Sequence, residues 1–261
     1  MPINSILDLK FKTILCDVSG VIFDEEAVFP NVNETFEKLL SEDRQIILLS
    51  NAPREEEFLR QKLKKSGFAF YEKLPVLTAG MYFLDYASKQ FSKTVKYCTI
   101  GTGENSLLSG DLFEKTSIEE AQVCIIYYMG YHESYLHDIK KVVARDIPVF
   151  CINPDVKIET PDGIKFCAGK TAKIIEAEGG IVKYFGKPYS EVFEFLQGKY
   201  LFKKEETVLI GDSMMTDVLG AKNFGIQGVL VLSGVHKMVK NFEEFFARFS
   251  FKPNFMIDKF K

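Results

Sequence analysis

The 261 residues predict an α/β fold: a parallel sheet interleaved with helices, with any second domain inserted into it. Three observations carry this expectation. Apolar runs of four to six residues recur through most of the chain. Segments of helical period lie between them, and strands alternating with helices at this spacing build βαβ units. No repeat, low-complexity stretch or Pro/Ser-rich linker parts the chain, so a second domain has to enter through short crossings.

The apolar runs place strands over 13–17, 45–50, 95–100, 123–128, 148–152, 207–211 and 228–232. "PREEEFLRQKLKKSGF" and "SYLHDIKKVVARD" put apolar residues on one helical face and charges on the other. In "NVNETFEKLL", Asn33 is a candidate helix cap, and Pro53 suits a first helical turn. "KMVKNFEEFFARF" reads as a core-facing helix near the C-terminus. "PDVKIETPDG", with two prolines and mixed charges, reads as a loop. "IGTGENS" lacks the third glycine and the lysine of phosphate-cradling loops and reads as a turn.

Composition excludes several classes. With 33 basic and 36 acidic residues the formal charge is -3, which offers no nucleic-acid surface. No apolar run approaches the roughly 18 residues of a membrane span, and "MPINSILDLK" lacks a signal-peptide pattern. Cys16, Cys98, Cys124, Cys151 and Cys167 are odd in number and mostly inside apolar runs, with no C-x-x-C pair. Reduced, buried thiols in a cytoplasmic protein are expected.

In open parallel sheets, ligands bind beyond the carboxyl ends of strands. Four polar clusters fall there. Asp17 closes the first strand, and Ser50 and Asn51 close the second. Lys187 follows the short apolar stretch "GIVKYF", and Asp212 follows "TVLIG" with Asp217 five residues on. Singly, each reads as a solvated strand end. Together they supply a nucleophile, a hydroxyl–amide pair, a cation and a metal-binding acid pair, a set suited to phosphoryl transfer.

The order "DVSG", "SN", "GKP", "GDSMMTD" resembles the four motifs of the haloacid dehalogenase (HAD) superfamily. The long gap before "GKP", with "INPD" and "CAGKTAKIIEAEGGIVKYFGKP", resembles its NagD-like phosphatases of subclass IIA, which carry a C2-type cap. The resemblance implies a Rossmann-like core over residues 1–92 and 181–261 with a cap over 93–180. It implies Asp17 as a nucleophile that becomes an aspartyl-phosphate, and Ser50, Asn51 and Lys187 as groups that hold the transferring oxygens and offset charge. Mg²⁺ would be held by Asp17, the backbone carbonyl of Ser19, Asp212 and Asp217, the last orienting metal waters or Lys187. Ser19, Gly20, Asn153 and Asp155 would meet the substrate, and "PDVKIETPDG" would be the cap loop that selects it.

Ser19 departs from the pattern. The superfamily's phosphatases usually place a second aspartate there, to protonate the leaving oxygen and deprotonate the attacking water. Serine cannot do this near neutral pH, and loss of such a group costs about 10²–10⁴ in rate. Asp24 and His132 are the candidate replacements, although a turn residue and a solvated turn histidine are the simpler readings. The expected function is a Mg²⁺-dependent phosphatase of a small phosphorylated metabolite, a sugar or nucleotide phosphate, slowed by Ser19. The alternative is a catalytically impaired protein on the same fold that binds phosphorylated ligands or a partner in a regulatory role. A homodimer is allowed but not specified.

Overall fold

The computed structural model describes residues 1–24, 27–101, 104–127, 130–160 and 163–261. Along the chain run β1 (Thr13–Cys16), α1 (Val32–Ser41), β2 (Gln45–Ser50), α2 (Glu56–Ser66), β3 (Val76–Thr78) and α3 (Ala79–Gln90). Next come β4 (Val95–Cys98), β5 (Phe113–Lys115), β6 (Val123–Ile126), α4 (Tyr135–Ala144), β7 (Val149–Cys151), β8 (Lys157–Thr160) and β9 (Gly163–Phe166). The rest are α5 (Ala168–Ala177), β10 (Val182–Tyr184), α6 (Ser190–Tyr200), β11 (Thr207–Gly211), α7 (Leu219–Phe224), β12 (Gln227–Val231), α8 (Phe242–Phe246) and β13 (Phe255–Ile257).

Two compact units result, Met1–Ser50, Glu56–Leu77 and Lys187–Lys261 forming the first, Asn51–Glu55 and Thr78–Gly186 the second. The first contains a six-stranded sheet of order β13-β12-β11-β1-β2-β3. Its central strand β1 runs parallel to β2 and to β11, and every residue of β1 is buried. Strands buried on both faces read as unbroken apolar runs, which is why β1, β2 and β11 stand out in the sequence. One side of the sheet packs on Phe36, whose ring meets Phe68 and Phe260 at 4.9 and 5.0 Å between centroids.

The second unit holds a parallel sheet of order β10-β7-β6-β4-β5 and the β8–β9 hairpin. Helix α3 packs its Phe83 against Phe113, Phe150 and Phe185, at 5.7, 5.9 and 5.1 Å. The second unit therefore begins before α3, whereas the sequence-based boundary at 92/93 follows it. At the other end β10 pairs with β7, so the unit runs past the expected boundary at 180/181.

Several local expectations are corrected. Asn33 does not cap α1: Asn31 does so by position, with φ +68° and no side-chain bond. The Asn33 side chain instead joins the Gly67 carbonyl and the Ala69 N–H. Pro53 starts no helix, because 51–55 is held in the second unit: Thr78 Oγ1 donates to the Arg54 carbonyl and Asn105 Nδ2 to that of Pro53. "PDVKIETPDG" contributes to an antiparallel hairpin rather than a plain loop. The C-terminal helix is only Phe242–Phe246, begun by Asn241, whose side chain accepts from Glu244 N–H. Thr102, Gly103 and Tyr128, named in sequence expectations, lie outside the described residues, as do Pro161 and Asp162. All five cysteines are free and buried. Among the described residues, no helix is long and apolar enough to cross a membrane.

Candidate active site

Adjacent parallel strands bring their carboxyl ends together, and the first unit does this with β2, β1 and β11. Asp17 lies one residue past β1, and Asp212 one residue past β11. Ser50, the last residue of β2, is buried. Lys187 opens the first unit's final segment and is 2% exposed, so its ammonium has to find partners inside the protein. It finds three. Its Nζ lies 2.6 Å from Asp17 Oδ1, 2.7 Å from Asp217 Oδ1 and 3.2 Å from the Leu49 carbonyl oxygen.

Asp217 reaches Lys187 because the chain after Asp212 makes one π-type turn, Met214–Val218. Ser213 opens it, its Oγ accepting from the Thr216 N–H at 3.3 Å. The turn brings Asp217 Oδ2 back to the Ser213 N–H at 3.1 Å. Single π turns inside helices often mark functional sites.

Asp212 is wedged. A β-carbon on Gly20 would stand 2.1 Å from its Oδ2, and one on Gly234 1.8 Å. Only glycine fits at either place, and Gly20 also has φ +79°. The same Asp212 oxygen accepts from the Val235 N–H at 2.8 Å.

One carboxylate oxygen from each of Asp17, Asp212 and Asp217 lies within 4.8 Å of the others. Burial pushes the Asp17 carboxyl up, Lys187 pulls it down and the Asp217 charge adds to the push, and the balance lies at about 7. Burial likewise holds Asp212 well above the usual carboxylate range, helped by the charges of Asp17 and Asp217. For Lys187, burial disfavours the ammonium, but the Asp17 and Asp217 carboxylates outweigh it and raise its pKa. Three carboxylates face one ammonium. Hard oxygen donors with surplus negative charge fit a small divalent cation such as Mg²⁺.

The structure thus joins Asp17, Lys187, Asp212 and Asp217, with Ser50 on the strand beside β1. Ser19, two residues past Asp17, is exposed. Asp24 is exposed, and its Oδ1 accepts from the Ala27 N–H at 3.0 Å. The remaining candidates sit in the second unit. There Asn51 Nδ2 donates to Asp155 Oδ1 at 2.9 Å, and Asn153 is buried just past β7. His132 is exposed in the same unit, its Nδ1 2.8 Å from Ser134 Oγ. The sequence reading passed over Ser233, Gly234, Val235 and His236. "SGVH" after β12 looks like an ordinary turn, and its signal is a glycine shortly after a buried strand.

A family model described as haloacid dehalogenase-like hydrolase matches residues 14–110, and a HAD-hydrolase-like model matches residues 184–261. The ribonucleotide monophosphatase NagD of Escherichia coli K12 is 24% identical over 234 residues, covering 88% of this chain and 91% of that protein. A 4-nitrophenylphosphatase of Schizosaccharomyces pombe is 27% identical over 259 residues, covering 87% and 86%. In fold, the chain is similar to the crystal structure of a haloacid dehalogenase-like hydrolase from Brucella suis 1330. The TM-score there is 0.81, with 22% identity and 99% of each chain covered.

Proposed function

The chain belongs to the haloacid dehalogenase-like hydrolases, on their NagD-like branch, and from that premise we propose a Mg²⁺-dependent phosphoric monoester hydrolase acting on a small phosphorylated metabolite. The observation that carries this reading is the buried Lys187 held between Asp17 and Asp217, with Asp212 beside them. A sugar or nucleotide phosphate is the expected substrate class.

In this reading the Asp17 carboxylate attacks phosphorus as the bond to the leaving oxygen breaks, and the phosphoryl group rests on Asp17. Water then attacks the same phosphorus, releasing phosphate and restoring the carboxylate. One hard hydrolysis becomes two easier steps. Lys187 favours the ionised form of Asp17 in a site whose burial favours the acid form, and Ser50, at the end of the neighbouring strand β2, offers a hydroxyl for a phosphoryl oxygen. Asp17, Asp212 and the Ser19 carbonyl would hold Mg²⁺, with Asp217 fixing Lys187 beside them. Bound there, the cation supplies charge neutralisation at the phosphoryl oxygens.

Ser19 leaves the leaving oxygen without an acid, and this favours a second reading, a non-hydrolysing binder of phosphorylated ligands. Steady-state hydrolysis of p-nitrophenyl phosphate and of a sugar phosphate, with saturating Mg²⁺, separates the two. The phosphatase reading expects the aryl ester, which departs without a proton, to be cleaved far better than the sugar ester. Ser19→Asp should raise sugar-phosphate turnover by at least about tenfold, a cautious share of the usual acid–base contribution. Asp17→Asn should abolish both. If neither wild type nor Ser19→Asp turns over any phosphate while Mg²⁺ still binds, the binding reading replaces the enzymatic one.

A further inference from the structure

Residues 233–236, just past β12, touch both loops that carry the acid cluster, and the mechanism above makes no use of them. Ser233 Oγ donates to the Gly20 carbonyl oxygen at 2.8 Å, on the loop after β1. That bond fixes the peptide next to the Ser19 carbonyl. The Val235 N–H donates to Asp212 Oδ2 at 2.8 Å. The Met214 N–H, at the head of the turn bearing Asp217, donates to His236 Nε2 at 3.2 Å. Gly234, between these contacts, leaves room for Asp212 where any β-carbon would collide.

The segment is also anchored from behind. The His236 ring lies 4.7 Å from that of Phe245, which packs in turn on Phe246 and Phe249 at 5.4 and 5.2 Å. Phe246 and Met214 belong to one buried apolar cluster. Accepting at Nε2 requires the imidazole to be neutral with its proton on Nδ1. His236 therefore does two separable things: its ring packs on Phe245, and its Nε2 satisfies a backbone donor in the Asp217 turn.

We propose that residues 233–236 form a clamp that sets Asp212 and the Asp217 turn for cation binding, with His236 a positioning residue acting through Met214. The inference rests on the Mg²⁺ site proposed above and adds the residues that determine its affinity. Groups that orient metal ligands from behind typically contribute 10–100-fold in affinity.

The test is Mg²⁺ titration calorimetry on the full chain, with thermal unfolding in EDTA as the stability control. His236→Phe keeps a ring on Phe245 but leaves the Met214 N–H without its acceptor. It should bind Mg²⁺ about 10–100-fold more weakly than wild type. His236→Gln, whose amide oxygen can accept the same bond, should recover most of that loss. If His236→Phe binds Mg²⁺ as tightly as wild type, the clamp is overturned. The same holds if Phe and Gln weaken binding equally, since giving back the acceptor would then restore nothing. Should His236→Phe fail to fold, Ser233→Ala decides. Weaker Mg²⁺ binding at an unchanged EDTA melting temperature supports the clamp, and unchanged affinity overturns it. Wild type that binds no Mg²⁺ overturns the functional reading and the clamp together, whereas wild-type binding matched by the variants overturns the clamp alone.

Discussion

Replacing Lys187 with Met removes one ammonium from the middle of the acid cluster while nearly keeping the side chain's length. The Nζ is 2.6 Å from Asp17 and 2.7 Å from Asp217, and the Lys187 side chain is 3% exposed. At 2.6 Å and an effective dielectric of about 20, the gross attraction to one carboxylate is about 6 kcal/mol. Desolvation of the ammonium offsets much of this. What remains when one partner of a buried pair is deleted is about 3–5 kcal/mol of lost stability, because the other partner is left as an uncompensated buried charge.

The loss should depend on pH, and its sign is fixed. Asp17, held near 7 in the folded protein against ~3.9 unfolded, contributes stability that is complete below ~3.9. That contribution fades as pH rises through about 7. Without Lys187 the opposing pull is gone and the folded value moves higher still, so the penalty keeps growing into alkaline solution. Urea unfolding in EDTA at about pH 5 and about pH 8 should therefore show a small deficit at the lower pH and the full ~3–5 kcal/mol at the higher. Saturating Mg²⁺ should narrow the gap by resupplying positive charge. A deficit below ~1 kcal/mol that is the same at both pH values would refute the premise that Lys187 balances these acids.

Three further outcomes are expected. Asp212→Asn should fold and lose at least about tenfold in Mg²⁺ affinity by calorimetry, since it removes a charged oxygen donor without changing shape. In wild type, Mg²⁺ affinity should rise between about pH 5 and about pH 8, with proton release on binding, because the cation displaces the proton that burial holds on Asp17 up to about 7; titrations in buffers of different ionisation enthalpy measure this, and no proton release would contradict it. Gly20→Ala should weaken Mg²⁺ binding and lower the EDTA melting temperature, since its β-carbon would stand 2.1 Å from Asp212 Oδ2 at a φ of +79°.

Strands β1, β2 and β11 were legible in the sequence because both of their faces are buried, so burial alone writes the pattern. Their polar ends named Asp17, Ser50 and Asp212 for the same reason. The β8–β9 hairpin was not legible. Every residue of Gly163–Phe166 is exposed, so packing imposes no alternation on it, and the prolines of "PDVKIETPDG" argue for a loop. The boundary before α3 rests on Phe83 meeting rings from β5, β7 and the segment after β10, contacts far apart in sequence. Asn33 was misread as a cap because its true partners, Gly67 and Ala69, lie more than thirty residues away. Each hydrogen bond of the Ser233–His236 segment joins one side chain to one backbone group at least 22 residues away, so no local pattern marks Ser233 or His236.

The partners of Lys187 also bear on the choice between hydrolase and binder. A site built only to hold a phosphorylated ligand gains most from an ammonium whose donors face the anion. Lys187 instead has Asp17, Asp217 and the Leu49 carbonyl oxygen around it at 2.6, 2.7 and 3.2 Å. An arrangement that directs a buried cation at a carboxylate, and fixes that cation with a second carboxylate, stabilises ionised Asp17. Ionised Asp17 is what attack on phosphorus requires, and burial on its own would deny it by pushing the carboxyl up. On the proposed reading the first chemical step has its apparatus in place, and Ser19 withholds only proton transfer to the leaving oxygen and from the attacking water. On that division, phosphorylation of Asp17 by an aryl or acyl phosphate should outpace hydrolysis of the aspartyl-phosphate. A burst of p-nitrophenol, close to one equivalent of enzyme and followed by a slow steady rate, is the expected trace. Ser19→Asp should abolish the burst by accelerating the second step. A linear trace from wild type at an ordinary rate would mean that water is activated by another group.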